Sequence, residues 1–331
     1  MMNNKNLRNL SRRTTLLSML LLVGAFSGVF MAGCQSGPSS AADSPDDSRP
    51  RVAATTSFVQ EVVARVAGDQ VELHRLMGPG VDPHQFKPNA RDVAALRGAR
   101  IIFYNGAHLE GKLQDVLERM ASQGTRTVAL VAAVPQDRLE QPEGFEGQFD
   151  PHIWFDPELW AMTPALVAET LGEAMPEHAA TFAANAQQLS EEIRLAGEEA
   201  RRRLEAVPAE RRVLVTSHDA FHYFGRAFAF EVAAPQGIST LAEAGIADVS
   251  ELSAWIRERQ IPAIFVESSV SPAIITRISQ DSGARVGGEL FSDAMGAPGE
   301  MREADGEIFD TGTYTGMFLY NASTIAAALR P

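Results

Sequence analysis

The chain has almost no cysteine and lacks several motifs that would point to common enzyme classes. Cys34 is the only thiol among 331 residues, so neither a disulfide framework nor a thiolate metal cluster can form within the chain. Neither of the glycine-rich patterns that bind phosphate groups follows a predicted strand, and there is no nucleophile elbow. Nucleotide-driven chemistry and hydrolysis by a serine nucleophile therefore have no support.

Acidic residues are absent from the first 33 positions, whereas four of the 29 basic residues lie there. The remaining 25 basic and 42 acidic residues give the rest of the chain a net charge of −17. A body this acidic repels phosphate backbones, so we expect no nucleic-acid partner.

The first 33 residues have the order of an export signal. A basic, polar stretch precedes a 16-residue apolar run at 16–31, which is shorter than the roughly 20 residues that span a bilayer. Small residues follow and lead to Cys34, a pattern that resembles a bacterial lipobox with Cys34 as the lipidated first residue. The sequence at 11–13 leaves open a twin-arginine export route. We therefore expect a signal peptide at 1–33, a flexible tether at 34–50, and a body anchored outside the cytoplasm.

After residue 50, short apolar runs alternate with helical stretches in two blocks. Strands are predicted at 51–56, 71–77, 101–104 and 127–131, then at 212–216, 231–234, 263–266 and 284–286. Helices are predicted at 58–67, 89–96, 109–121, 219–228, 246–259, 272–282 and 314–329. This alternation predicts an α/β fold with two lobes, at 51–175 and 208–331, each with a four-stranded, mostly parallel sheet flanked by helices.

Residues 176–207 separate the two blocks. Good helix formers dominate this segment, with Gly197 as its one internal glycine and Pro176 and Pro208 at its ends. One long helix is predicted here, and it would join the lobes more rigidly than crossing strands do.

Four potential metal ligands stand in loops that follow predicted strands or are marked by proline. They are His84, His152, His218 and Asp293, two from each lobe. Ligands of open α/β sheets bind at the carboxyl ends of the strands, so these side chains are placed to meet in the cleft between the lobes. Three imidazoles and one carboxylate suit a divalent transition metal. Unperturbed imidazoles would lose that metal as the pH falls through about 6.5.

Six ordered motifs also resemble those of the metal-binding receptors of ABC transporters of the TroA/ZnuA type, from about residue 51 to the end. They are Gly80-Val81-Asp82-Pro83-His84; Phe103-Tyr104-Asn105-Gly106 with Leu109-Glu110; Asp150-Pro151-His152-Ile153-Trp154; Ser217-His218-Asp219-Ala220-Phe221; Gln236-Gly237-Ile238-Ser239-Thr240; and Gly287-Gly288-Glu289-Leu290-Phe291-Ser292-Asp293.

The resemblance implies two α/β lobes joined by a long helix, with His84, His152, His218 and Asp293 as the metal ligands. It also implies a monomeric binding protein rather than an enzyme, which delivers its cargo to a separate permease and ATPase. The acidic segment 136–149 lacks the histidines typical of the zinc-dedicated branch. Manganese-dedicated members often have Glu where this chain has His218. The cargo is therefore left as Zn²⁺ or Mn²⁺, with Fe²⁺ less favoured.

Three further interpretations remain open at this stage. His218 and His222 stand four apart on a predicted helix, the spacing of H-E-x-x-H hydrolases, although the second position is Asp219. An adhesin or scaffold with a structural metal is the other alternative function. Glu267, at the end of a predicted strand, either orients a ligating imidazole or forms an ordinary salt bridge.

Overall fold

The computed structural model describes residues 49–142 and 147–331. The expected signal peptide, Cys34 and all but the last two residues of the expected tether lie outside the described residues. Within the described part of the chain, no helix has both the length and the apolar character needed to cross a membrane.

The described residues of the first lobe form four strands and five α-helices. In chain order they are β1 (Arg51–Ala54), α1 (Ser57–Ala67), β2 (Glu72–Arg75), α2 (Ala90–Gly98), β3 (Ile101–Tyr104), α3 (Gln114–Ser122), β4 (Arg126–Ala129), α4 (Pro157–Trp160) and α5 (Thr163–Ala174). The strands form one parallel sheet in the order β2-β1-β3-β4. All four strand predictions for this lobe are confirmed, whereas α4 and α5 were not predicted.

The second lobe has six strands and four helices after α6 (Ala179–Leu204). They are β5 (Val213–Val215), α7 (His222–Phe228), β6 (Glu231–Ala233), α8 (Ile246–Glu258), β7 (Ala263–Glu267), α9 (Ala273–Ser282), β8 (Arg285–Leu290), β9 (Met301–Ala304), β10 (Glu307–Asp310) and α10 (Tyr314–Leu329). The four predicted strands form two parallel pairs, β5 with β6 and β7 with β8. β5 lies beside β7 without a regular ladder, and β9 and β10 form an antiparallel hairpin that the sequence did not predict.

The expected long helix is confirmed by α6, whose 26 residues span about 39 Å. One face of the helix is apolar and buried, from Phe182 to Leu204. Gly197 lies against Pro157 at the start of α4, where a β-carbon on residue 197 would come within 2.7 Å of the proline ring. The lack of a side chain at this position therefore allows α6 to pack closely on the first lobe.

The two lobes share one hydrophobic core. Phe58 of α1 stacks on Trp154 at 4.7 Å between ring centroids. The Trp154 indole donates a hydrogen bond to the carbonyl of Ser292, and the Tyr314 hydroxyl donates to the carbonyl of Trp154. These contacts join the turn before α4 to the second lobe through buried groups on both sides.

Glu61 on α1 also contacts the second lobe, and its charge opposes folding at neutral pH. Its Oε2 accepts the backbone N–H of Tyr314 at 2.8 Å. Burial nevertheless raises the pKa of Glu61 from 4.5 to about 7 and outweighs this hydrogen bond. The folded chain thus holds the proton more tightly than the unfolded chain. The protonated Glu61 therefore stabilises the folded chain. This contribution to the free energy of unfolding is complete below about pH 4.5 and is lost as the pH rises through 7.

Glu61→Gln removes the ionisable group while keeping an acceptor for the N–H of Tyr314. We expect the gain in the free energy of unfolding to be about 2 kcal/mol larger at pH 8 than at pH 5. Urea unfolding at both pH values measures this difference. Glu198→Gln, at an exposed position of α6, is the control and should show no such gain. Equal effects of Glu61→Gln at the two pH values would contradict the prediction.

Candidate metal centre

Four loops at the carboxyl ends of strands bring the predicted ligands together. His84 follows β2, His152 lies beyond β4, His218 follows β5, and Asp293 follows β8. Each of the four residues is at most 1 % exposed. One potential ligand atom from each lies within 4.8 Å of the other three, so the structure gathers all four side chains into one cluster.

The imidazoles surround the Asp293 carboxylate. The Nε2 atoms of His84 and His218 lie 3.7 and 3.3 Å from Oδ2 of Asp293, and Nε2 of His152 lies 3.4 Å from Oδ1. These five atoms are buried, and none has a hydrogen bond with proper geometry to another described residue. A buried polar atom without a partner costs about 1–3 kcal/mol. A divalent cation bound by the three nitrogens and the carboxylate would remove that cost.

Asp150 orients the ring of His152. Its Oδ1 lies 2.6 Å from Nδ1 of the imidazole and also accepts the backbone N–H of His152 at 2.9 Å. The segment is also held by two hydrogen bonds to its backbone. Nδ2 of Asn105 donates to the carbonyl oxygen of Pro151, and the Tyr223 hydroxyl donates to the backbone carbonyl oxygen of Asp150. Nε2 is therefore directed into the cluster. The sequence analysis did not assign this role to Asp150, although its position two residues before His152 was the available signal.

Glu267, at the end of β7, contacts the ring of His218 through a close charge contact that lacks hydrogen-bond geometry. Its Oε2 lies 2.6 Å from Nδ1 of His218, and Oε1 accepts the backbone N–H groups of Ser217 and His218 at 2.7 and 2.9 Å. One carboxylate thereby connects the ends of β5 and β7, which share no regular ladder. The structure thus places Glu267 beside the imidazole of His218.

The electrostatics of the cluster differ between the three histidines. Burial lowers the pKa of His84 to about 3, despite the opposing charge of Asp293. Burial also disfavours the charged form of His152, but Asp150 and Asp293 outweigh it and raise the pKa to about 9. The pKa of His218 is well above its usual value because Glu267 and Asp293 overcome the effect of burial.

The pKa of the Asp293 carboxyl is shifted in the opposite direction from those of His152 and His218. Burial favours its protonated form, but His218 and His152 hold its pKa well below the usual value. Without a bound cation, the cluster therefore contains an ionised carboxylate and two protonated imidazoles at neutral pH, and a cation must displace both protons.

His222 does not join the cluster. Its Nε2 lies 2.7 Å from Oδ2 of Asp219, and 38 % of its side chain is exposed. The expectation that a helix starts at Asp219 was wrong, because α7 begins at His222. His218 thus belongs to a loop, and the helical pair required by an H-E-x-x-H hydrolase is not formed.

A cavity of about 390 Å³ reaches His84 from the surface. His108 and Lys112 line it on the side of the first lobe, and Ser239 and Leu241 line it on the side of the second. The cluster is therefore approached from a space between the lobes, next to His84.

The profile of the family described as "zinc-uptake complex component A, periplasmic" (ZnuA) matches residues 52–328. This chain belongs to that family. It is 38% identical over 316 residues to the manganese-binding lipoprotein MntA of Bacillus subtilis (strain 168), covering 94% of this chain and 99% of the relative. It is 41% identical over 293 residues to the zinc-binding protein TroA of Treponema pallidum (strain Nichols), covering 87% of this chain and 91% of the relative.

The solved structure of periplasmic zinc binding protein TroA from Treponema pallidum has the same fold as this ZnuA-family chain. The two superimpose with a TM-score of 0.80 at 40% sequence identity, over 86% of this chain and 100% of that structure. The expected fold, two α/β lobes with a buried His/Asp cluster between them, is confirmed.

The carboxylates behind the imidazoles should matter for metal affinity although they lie outside the cluster. Glu267→Gln and Asp150→Asn keep the size of each side chain but remove the negative charge that faces Nδ1 of the imidazole. Partners of this kind typically account for 10- to 100-fold in metal affinity, so we expect each variant to lose roughly that factor. A competition titration with a chelating dye measures it. Asp219→Asn, next to His222, is the control and should bind as the unaltered chain does.

Proposed function

We propose that this chain is the extracytoplasmic receptor of a metal ABC importer. It captures a divalent transition metal between its lobes and delivers the ion to a membrane permease driven by an ATPase. The observation that carries this proposal is the buried cluster of His84, His152, His218 and Asp293, drawn from both lobes and left without internal hydrogen bonds at the atoms that face one another. Membership of the ZnuA family supports the same function.

The division of the ligands between two lobes suits a protein that must both hold and release its cargo. We propose lobe boundaries at 51–175 and 208–331, with 176–207 as the linker. Each lobe then contributes two ligands, so a small displacement of either lobe breaks the shared coordination. The common core and α6 restrict larger movements.

The role is binding rather than catalysis. The two carboxylates closest to the imidazoles, those of Asp150 and Glu267, each lie 2.6 Å from Nδ1 of an imidazole, whereas the Nε2 atoms face the cluster. Both carboxylates are therefore on the far side of the rings from a bound metal and are poorly placed to act as a general base on a metal-bound water. We further propose that the chain acts as a monomer and is anchored to the membrane through a lipid on Cys34.

The donor set binds Zn²⁺ more tightly than Mn²⁺, since imidazole nitrogens and the Irving–Williams order both favour zinc. The metal available to the cell and the transporter also decide the cargo. MntA is named for manganese and TroA for zinc, and the cargo proposed here is Zn²⁺ or Mn²⁺, ahead of Fe²⁺.

Elemental analysis of the protein purified without added metal tests the proposal. We expect one equivalent of Zn²⁺ or Mn²⁺ per chain, which exchanges in a competition between the two ions. A chain that holds no metal would contradict the function, and a metal that never exchanges would favour a structural ion in an adhesin or scaffold. Uptake of the identified metal should fall in cells that lack the gene.

A further inference from the structure

A hydrogen bond joins the two lobes beside His84. The hydroxyl of Thr240, in the loop between β6 and α8, donates to Oδ2 of Asp82 in the first lobe at 2.6 Å. Thr240 is only 4% exposed. Gln85 donates to the same carboxylate oxygen at 3.0 Å. The contact is thus a short, largely buried hydrogen bond to a carboxylate.

Both ends of this bond are connected to metal-centre loops. Oδ1 of Asp82 accepts the backbone N–H of His84 at 2.9 Å, which fixes the loop that carries this imidazole. On the other side, Gln236 forms a parallel β-bridge with His218, and Asp219 donates its backbone N–H to the carbonyl of Gly237. The Thr240–Asp82 bond therefore connects the loop of His84 with the loop of His218.

Comparison with the second Asp-Pro-His sequence in the chain supports a separate role for Asp82. Asp150 and Asp82 each accept the backbone N–H of the histidine two residues later, at 2.9 Å in both cases. Asp150 also contacts the ring of its histidine, whereas Nδ1 of His84 has no hydrogen bond to any described residue. In the turn at Asp82-Pro83-His84, the second oxygen of the aspartate, Oδ2, instead accepts the hydrogen bond from Thr240 in the opposite lobe.

The His84 loop has one further interlobe hydrogen bond, from Nε2 of Gln85 to the same Thr240 hydroxyl at 3.5 Å. Two other interlobe bonds near the centre do not involve this loop. Trp154 contacts Ser292, and the backbone N–H of Met295 donates to the Ser57 hydroxyl at 2.9 Å. Breaking the Thr240–Asp82 bond would leave these contacts in place. It would free the loop of His84, which borders the cavity between the lobes together with Pro151 of the His152 loop.

We propose that the Thr240–Asp82 hydrogen bond is a latch that keeps the cleft closed over the metal and sets the rate of metal release. This inference rests on the proposed function. Thr240 acts as a positioning residue, since it contacts no metal ligand side chain and acts through Asp82 and the His218 loop.

Thr240→Val tests the latch because valine keeps the shape of threonine and removes only the hydroxyl. We expect the dissociation rate of Zn²⁺ to rise about tenfold, as for a lost hydrogen bond to a charged group, while the association rate changes less than twofold. Stopped-flow release into an excess of a chromogenic chelator measures the first rate, and mixing with Zn²⁺ measures the second. Thr240→Ser, which keeps the hydroxyl, should release metal at the rate of the unaltered chain.

Two controls separate a latch from a general structural role. Thr276→Val removes an exposed threonine hydroxyl that bonds within α9, and it should leave both rates unchanged. The thermal midpoint of metal-free Thr240→Val should match that of the unaltered chain. In an Asp82→Ala background, Thr240→Val should add nothing further to the dissociation rate.

The latch would be overturned if Thr240→Val released Zn²⁺ at the unaltered rate, or if Thr240→Ser accelerated release equally. In both cases the proposed function would stand, because the unaltered chain would still bind and exchange its metal. If the unaltered chain bound no metal, both proposals would fall together.

Discussion

The variant His218→Ala is expected to abolish stoichiometric metal binding. The substitution removes one of four proposed ligands and leaves the Glu267 carboxylate buried beside an empty space. The total binding free energy of a four-ligand zinc site is about 10–16 kcal/mol, so one ligand accounts for roughly 3 kcal/mol, or more than a hundredfold in affinity. Isothermal titration with Zn²⁺ and with Mn²⁺ measures the loss.

His222→Ala provides the matched control on the same segment. This histidine is half-exposed, pairs with Asp219, and lies outside the cluster. We expect it to bind metal with the stoichiometry and affinity of the unaltered chain. Loss of binding in both variants would instead favour the hydrolase-type pair, and retained binding in His218→Ala would refute the assignment of the centre.

The affinity for metal should rise steeply with pH between about 6 and 9. His152, with a pKa of about 9, and His218, with a pKa well above the usual value, are protonated at neutral pH when no cation is bound. Each must lose its proton to bind a metal. The apparent affinity should therefore change by up to about a hundredfold per pH unit. The sequence alone predicted the loss of affinity near pH 6.5, and the buried carboxylates move it to higher pH.

Titration calorimetry in buffers of different ionisation enthalpy counts the released protons directly. About two protons should be released per metal at pH 7.5, one from each of these imidazoles, and none from His84, whose pKa is about 3. Asp150→Asn removes the main charge that keeps His152 protonated and should reduce the count to about one. An affinity that does not change between pH 6 and pH 8 would contradict the electrostatics of the cluster.

In the first lobe, β1 and β3 were predictable because they are short, mainly apolar runs that are almost entirely buried. The strand at Ile101–Tyr104 was predicted to the residue, and α2 begins at its predicted place, where the side chain of Asn89 accepts the backbone N–H of Asp92. The four cluster residues could also be predicted, since loops after parallel strands meet at one edge of a sheet.

Features that depend on distant contacts could not be predicted from local patterns. The hairpin of β9 and β10 has charged residues on both strands and little of the alternation that marks a half-buried strand. The split pairing in the second lobe reflects the short β5, whose end is held by Glu267 instead of a ladder. The start of α7 at His222 follows from the β-bridge between His218 and Gln236, which keeps the preceding residues out of the helix.

The buried contact between Gly197 of α6 and Pro157 also affects the loop that carries His152. Pro157 begins the short helix that follows His152 by only a few residues, so any side chain at residue 197 would push on the backbone that carries this imidazole. A substitution there, in no contact with the cluster, would shift the His152 ring relative to the other three side chains. The packing of the connecting helix on α4 thus helps to set the position of this imidazole.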